Sequence, residues 1–122
     1  MKGNFLGLVL SHFVTIRAQI ALYSLEVTAL ARATKILQQR HPGLEFLLAS
    51  DHAASDTLKV AARTADLFVI VDRAAKHAAT DAIKAERPTA PIRYAAGKGS
   101  TSLIETVEKW LRDQRSEQAD DE

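Results

Sequence analysis

The 122-residue sequence predicts an α/β layer fold around a mostly parallel four-stranded sheet. Three observations carry this. Leu67 to Val71 are five consecutive apolar residues between Asp66 and Asp72, the pattern of a strand covered on both faces. An alanine-rich helical segment over 74–86 and an extended segment over 91–95 come next with short links, which makes a right-handed βαβ unit. Two further apolar segments, 5–10 and 44–50, alternate with helical stretches and complete the order β-α-β-α-β-α-β-α.

Taken in order, Phe5-Leu6-Gly7-Leu8-Val9-Leu10 reads as the first buried strand, because Gly7 weakens a helix there. A helical reading stays open, since Phe5, Leu8, Val9, His12, Phe13, Ile16 and Ile20 also fall on one helical stripe. Ser11-His12-Phe13-Val14 is the loop after this strand, and Thr15 is placed to cap the next helix. From about Ile16 to Gln39 the periodicity predicts a helix with two apolar stripes. One contains Ala18, Leu22, Leu25, Ala29, Ala33, Ile36 and Leu37; the other contains Ile16, Ile20, Tyr23, Val27, Leu30 and Thr34. Two stripes bury more of a helix than one sheet face covers, and a homodimer partner against the second stripe is the simplest cover. The alternatives are the N-terminal segment and the last helix.

His41-Pro42-Gly43 stops the helix. Leu44 to Ser50 is the second strand and Asp51-His52-Ala53-Ala54-Ser55 its loop, with Ser55 or Asp56 capping a short helix to about Thr64. In the helix over 74–86, Ala75, Ala78, Ala79, Ala82 and Ile83 form a small inner face. Arg73, Lys76, His77, Thr80, Asp81, Lys84 and Arg87 form the outer one, and Pro88 ends it. Pro91 to Ala95 is the fourth strand. Gly97-Lys98-Gly99-Ser100-Thr101-Ser102 then turns into a last helix with Leu103, Ile104, Val107, Trp110 and Leu111 inward.

Composition sets limits. The length suits one domain over 1–112, and 47% hydrophobic with 25% charged residues is ordinary for a globular chain. There is no cysteine, hence no disulfide or thiol chemistry. No signal peptide and no membrane-spanning stretch is evident, so the expected location is the cytoplasm, with no membrane partner. Residues 113–122 hold five acids and one arginine, read as an acidic disordered tail of net −4, against +1 for the whole chain. The body is therefore mildly basic at +5, which permits contact with an anion or nucleic acid.

In open α/β sheets ligands bind beyond the carboxyl ends of the strands, near the point where strand order reverses. If the order is 2-1-3-4, the loops after the first and third strands are neighbours. Ser11, His12, Asp72 and Arg73 then meet, with Gly97, Lys98, Gly99, Ser100, Thr101 and Ser102 next along. The two glycines allow positive φ and close backbone approach. Amides at a helix start beside Lys98 suit an anion. This is not a Walker A loop, because Gly99 comes after Lys98 where that motif has Ser or Thr. A metal site from His12, His52 and Asp51 or Asp72 has no tight ligand spacing. A serine hydrolase lacks the G-x-S-x-G elbow, and a dinucleotide oxidoreductase lacks G-x-G-x-x-G after the first strand. No cofactor is implied.

Ala65-Asp66 before an apolar strand, Lys76-His77 opening a helix, Lys84 within it, a proline-led strand at 91, and Gly99-Ser100-Thr101-Ser102-Leu103 together carry a resemblance. Over about residues 55–105 the chain resembles a bacterial family of small Rossmann-like domains of unknown function. The family pattern has a serine before the histidine, where this chain has Lys76, and a glycine pair after the first strand, where it has Ser11-His12. The resemblance implies a Rossmann-like, flavodoxin-like fold and points to His77, Lys84, Gly99, Ser100 and Ser102 as site residues. It implies no particular activity.

Three functions fit these residues. The leading expectation is a non-enzymatic regulatory or accessory module. It binds a small anionic or nucleotide ligand, or a nucleic-acid phosphate, at the strand ends. A homodimeric interaction module without ligand is the second. A phosphate-ester hydrolase or nuclease using Asp72 and a histidine is the third.

Overall fold

The computed structural model describes residues 17–120. The chain runs β1 (Ala18–Tyr23), α1 (Val27–Arg40), β2 (Leu44–Ala49), α2 (Asp56–Thr64), β3 (Leu67–Val71), a 3-10 turn (Asp72–Ala74), α3 (His77–Glu86), β4 (Ile92–Ala95) and α4 (Ser100–Asp120). The sheet order is β2-β1-β3-β4 with every pairing parallel. The expected α/β class and alternating element order are present, and the sheet has the 2-1-3-4 order that makes the loops after the first and third strands neighbours.

The first strand is a different stretch from the expected one. Residues 5–10 lie outside the described residues, and the helix expected from Ile16 is instead β1, a short loop and α1. Ile20, Ala21, Leu22 and Tyr23 are all fully buried, because β1 is a central strand with a layer of helices on each side. A strand buried on both faces has no alternation, and its continuous apolar run merged with the helical stripes of α1. Ser24 marks the break: its Oγ accepts the Glu26 amide at 3.0 Å, a local turn that competes with helix formation. The second stripe, assigned above to a dimer partner, is largely filled by the chain itself. Ile20 and Tyr23 belong to the sheet and Leu30 to the inner face of α1, while Val27 stays 60% exposed.

α1 and α4 cover one face of the sheet. Leu30, Ala33 and Leu37 of α1 and Leu103, Val107, Trp110 and Leu111 of α4 pack on Ile20, Leu22, Leu67, Val69 and Val71. α2 and α3 cover the other, with Leu58, Ala61, Ala62, Ala79 and Ile83 against Ala21, Tyr23, Phe68 and Ile70. All five β3 residues are buried, as their unbroken apolar run predicts. The alanines at the α2 and α3 contacts are what let these helices approach closely. Among the described residues, no helix is long and apolar enough to cross a membrane.

The expected outer face of the third helix is also revised. The alanine-rich segment begins with the 3-10 turn, and the α-helix proper starts only at His77. Thr80 and Arg87 are buried, whereas Ala78 is exposed. Arg87 turns under the sheet at the amino ends of β3 and β4. Its Nη1 donates to the Ala62 and Ala65 carbonyls at 2.8 and 2.5 Å, and its Nη2 donates to the Pro91 carbonyl at 2.8 Å. One guanidinium thereby satisfies carbonyls at the α2 terminus and the β4 entry. Burial lowers its pKa and nearby Asp66 pulls the other way; a guanidinium stays charged regardless.

On the opposite face, Glu108 of α4 binds Arg40 at 3.0 Å and His41 at 3.0 Å, clamping the end of α1. α4 continues to Asp120, so residues 113–120, read above as a disordered tail, are helical. Asp113 there faces Arg93 and Lys109, both at 3.6 Å.

Candidate functional site

The carboxyl ends of the four strands place four loops along one edge of the sheet. The loop after β1 is Ser24-Leu25-Glu26, not the expected Ser11-His12, because β1 is 18–23. Ser11 and His12 lie outside the described residues.

Tyr23, the last residue of β1, organises this edge. Its side chain is fully buried. The hydroxyl donates to the Asp51 carbonyl at 2.6 Å and accepts the Lys76 amide at 3.2 Å. One phenol thus joins the loop after β2 to the loop after β3. The Ser24 amide donates to the Ala49 carbonyl at 3.1 Å, and the Leu25 amide to the Ala74 carbonyl at 2.8 Å. The second of these bonds crosses the β1/β3 boundary, the point where strand order reverses. In the loop after β2, the Ser55 hydroxyl caps α2 by accepting the Leu58 amide at 3.1 Å and donates to the Asp51 carboxylate.

The loops after β3 and β4 are the open part of this edge. Val71 pairs with Ala95, so the residues just beyond each strand are neighbours. Asp72, Arg73, Lys76 and His77 are exposed on one side; Lys98, Gly99 and Thr101 are exposed on the other. Among the described residues, Arg73, Lys76 and Lys98 form no ion pair; the pairs present involve Arg40, His41, Arg63, Arg93 and Lys109. Lys76 precedes α3 without a side-chain cap, which leaves the first amides of that helix unclaimed by it.

The glycine turn is built differently from its expectation. Neither glycine has positive φ. The Gly97 amide donates to Ser102 Oγ at 2.8 Å, so these two residues hold each other and shape the turn. A methyl group at Gly97 would meet Ser102 Cβ at 3.5 Å, an ordinary contact, and one at Gly99 would meet nothing within 4 Å. Ser100 opens α4. Lys84 stands apart from this group: it lies seven residues beyond His77, about 10 Å along α3. Its Nζ sits 5.9 Å from the centre of the Tyr94 ring on β4.

The β3 and β4 part of this edge therefore offers cations, hydroxyls and backbone amides, with Asp72 as its acid, while Glu26 and Asp51 stand in the loops after β1 and β2. Among the described residues no group of three or more His, Asp or Glu side chains could hold a metal ion. A cavity of about 560 Å³ lies between β2 and α2; Asp51 lines it, but none of the residues expected to bind an anion does. Tyr23 is the positioning residue that sequence reading misses. Once β1 is known to be a strand, a tyrosine at the carboxyl end of a central strand is the signal that finds it.

A family model described as DpdD-like matches residues 11–106, from before β1 to the first turns of α4. Comparison with curated proteins and with solved structures finds no match.

Proposed function

The chain belongs to the DpdD-like family, and from that premise we propose that it is a non-enzymatic regulatory or accessory module that binds a phosphate group at the carboxyl ends of β3 and β4. The phosphate belongs to a nucleotide-like ligand or to a nucleic acid. Lys98, Arg73 and Lys76 supply the counter-charge, and the amides and hydroxyls of Gly99, Ser100 and Thr101 supply the hydrogen bonds.

Gly99 is the observation that carries this reading. Its φ is ordinary and its surroundings are open, so the fold itself does not require a glycine there. With no side chain there, a ligand can approach the backbone closely. The exposed cations without an acidic partner among the described residues support the same edge.

Native mass spectrometry of gently purified protein tests the proposal. The expected result is a mass excess matching a nucleotide or an oligonucleotide, lost in Lys98→Ala and reduced in Gly99→Val. Titration with inorganic phosphate, with adenosine diphosphate and with a labelled single-stranded oligonucleotide then separates the two sources. A nucleic-acid ligand gives an affinity that falls steeply with salt, with one step of slope lost in Lys98→Ala. Absence of binding to all three probes, or binding indifferent to Lys98→Ala, overturns the proposal.

A further inference from the structure

The far edge of the sheet carries a second, unrelated feature. Among the described residues β2 pairs only with β1, so one side of its backbone has no strand partner. Beside that open edge runs the 560 Å³ groove between β2 and α2. Leu47 and Leu48 of β2 and Leu58 and Val60 of α2 line it. Val60 is 49% exposed in this concavity, and Leu47 is the β2 leucine whose side chain lies on the α2 face of the sheet, only partly buried there; Leu48 points to the other face. Asp51, whose carboxylate accepts the Ser55 hydroxyl, and Asp56 also line it, and neither forms an ion pair among the described residues.

We infer that this groove takes an extended apolar peptide segment with a basic residue at one end, added to the sheet as a fifth strand beside β2. Each part of the site selects for this occupant. Unpaired backbone groups along six residues, about 20 Å of strand, are matched by another extended backbone. A helix flanking an open sheet edge gives alternate side chains of the added strand an apolar pocket, the strand-addition mode of peptide recognition. The leucine and valine side chains call for aliphatic residues there. The two aspartates attract a lysine or arginine and disfavour an acidic segment. β2 itself has one charged residue, Glu45, so little on the strand opposes pairing.

The test uses the full chain and a fluorescein-labelled six-residue peptide of alternating valine and threonine with a terminal lysine. Fluorescence anisotropy should show saturable binding. Val60→Asp, at an exposed position, and Leu47→Asp, at a partly buried one, both checked for an unchanged far-ultraviolet spectrum, should each weaken it at least about tenfold. Asp56→Asn should weaken it less, and a terminal glutamate in place of the lysine should abolish it. Hydrogen exchange at β2 amides should slow when the peptide is added. No binding, or binding unaffected by both Val60→Asp and Leu47→Asp, overturns the inference. So does a dimer in sedimentation that Val60→Asp dissolves, because the groove then belongs to a second copy. So does β2 exchange that is already slow without peptide and accelerates in Val60→Asp, because the chain then fills its own groove.

Discussion

Tyr23→Phe removes one oxygen atom and should loosen two loops. The ring is fully buried and its packing against Phe68, Ile70 and Leu58 is kept, so the change isolates the hydroxyl. Two hydrogen bonds disappear: the one donated to the Asp51 carbonyl at 2.6 Å and the one accepted from the Lys76 amide at 3.2 Å. A typical intramolecular hydrogen bond contributes about 1 kcal/mol net, and a buried group left without a partner costs about 1–3 kcal/mol. Both bonds are only partly buried, so water recovers some of the loss, and the expected destabilisation is about 2 kcal/mol. For a domain of this size that is a fall in Tm of about 8 °C. Urea unfolding gives the free energy, and hydrogen exchange locates it: the Lys76 amide should exchange faster than in the parent, relative to core amides of β3. A loss below about 0.5 kcal/mol would refute the reasoning, since it lies outside the range for two lost bonds. An unchanged Lys76 amide with normal global loss would show that the phenol acts through packing and does not join the loops.

Three further sites test the supports of the fold. Arg87→Met should cost about 3–5 kcal/mol in urea unfolding, because three carbonyls at the α2 end and the β4 entry lose their common donor. Arg87→Lys should recover little of it, since an ammonium lacks the planar fork. Glu108→Gln should cost about 1 kcal/mol at neutral pH. Burial raises the Glu108 carboxyl, but hydrogen bonds and charge from His41 and Arg40 outweigh this and hold its pKa below the ordinary value. A lowered folded-state pKa contributes stability that is fully present above the ordinary carboxylate range and is lost as pH falls through the lowered value. The difference between parent and Glu108→Gln should therefore shrink on acidification below that range, as a pH series of thermal melts would show. Thr34→Val should stabilise the protein by about 1 kcal/mol in urea unfolding, because the Thr34 hydroxyl is buried with no hydrogen-bond partner among the described residues and valine has the same shape.

The fold class, the alternation of strands and helices, and three of the four strand positions were legible in the sequence. Leu67 to Val71 could be read because a short run of five apolar residues between two aspartates favours a strand over a buried helix. β2, β4 and the α2 cap at Ser55 were legible from local signals: a proline-glycine stop, a proline-led extended segment and a hydroxyl before a helix. The glycine turn and the cations beside it were legible as residues, since their chemistry is carried by type and spacing alone. Tertiary structure decided the rest. Ala18 to Tyr23 has no period because its neighbours bury both of its faces, and only the finished sheet shows that it is a central strand. Arg87 sits on the polar stripe of its helix in sequence, yet it points under the sheet, where carbonyls from 25, 22 and 4 residues away converge on it. Tyr23 meets Asp51 and Lys76 across 28 and 53 residues of chain. Hydrogen bonds between segments so distant are set by which strands lie side by side, a property of the assembled sheet that no local pattern encodes.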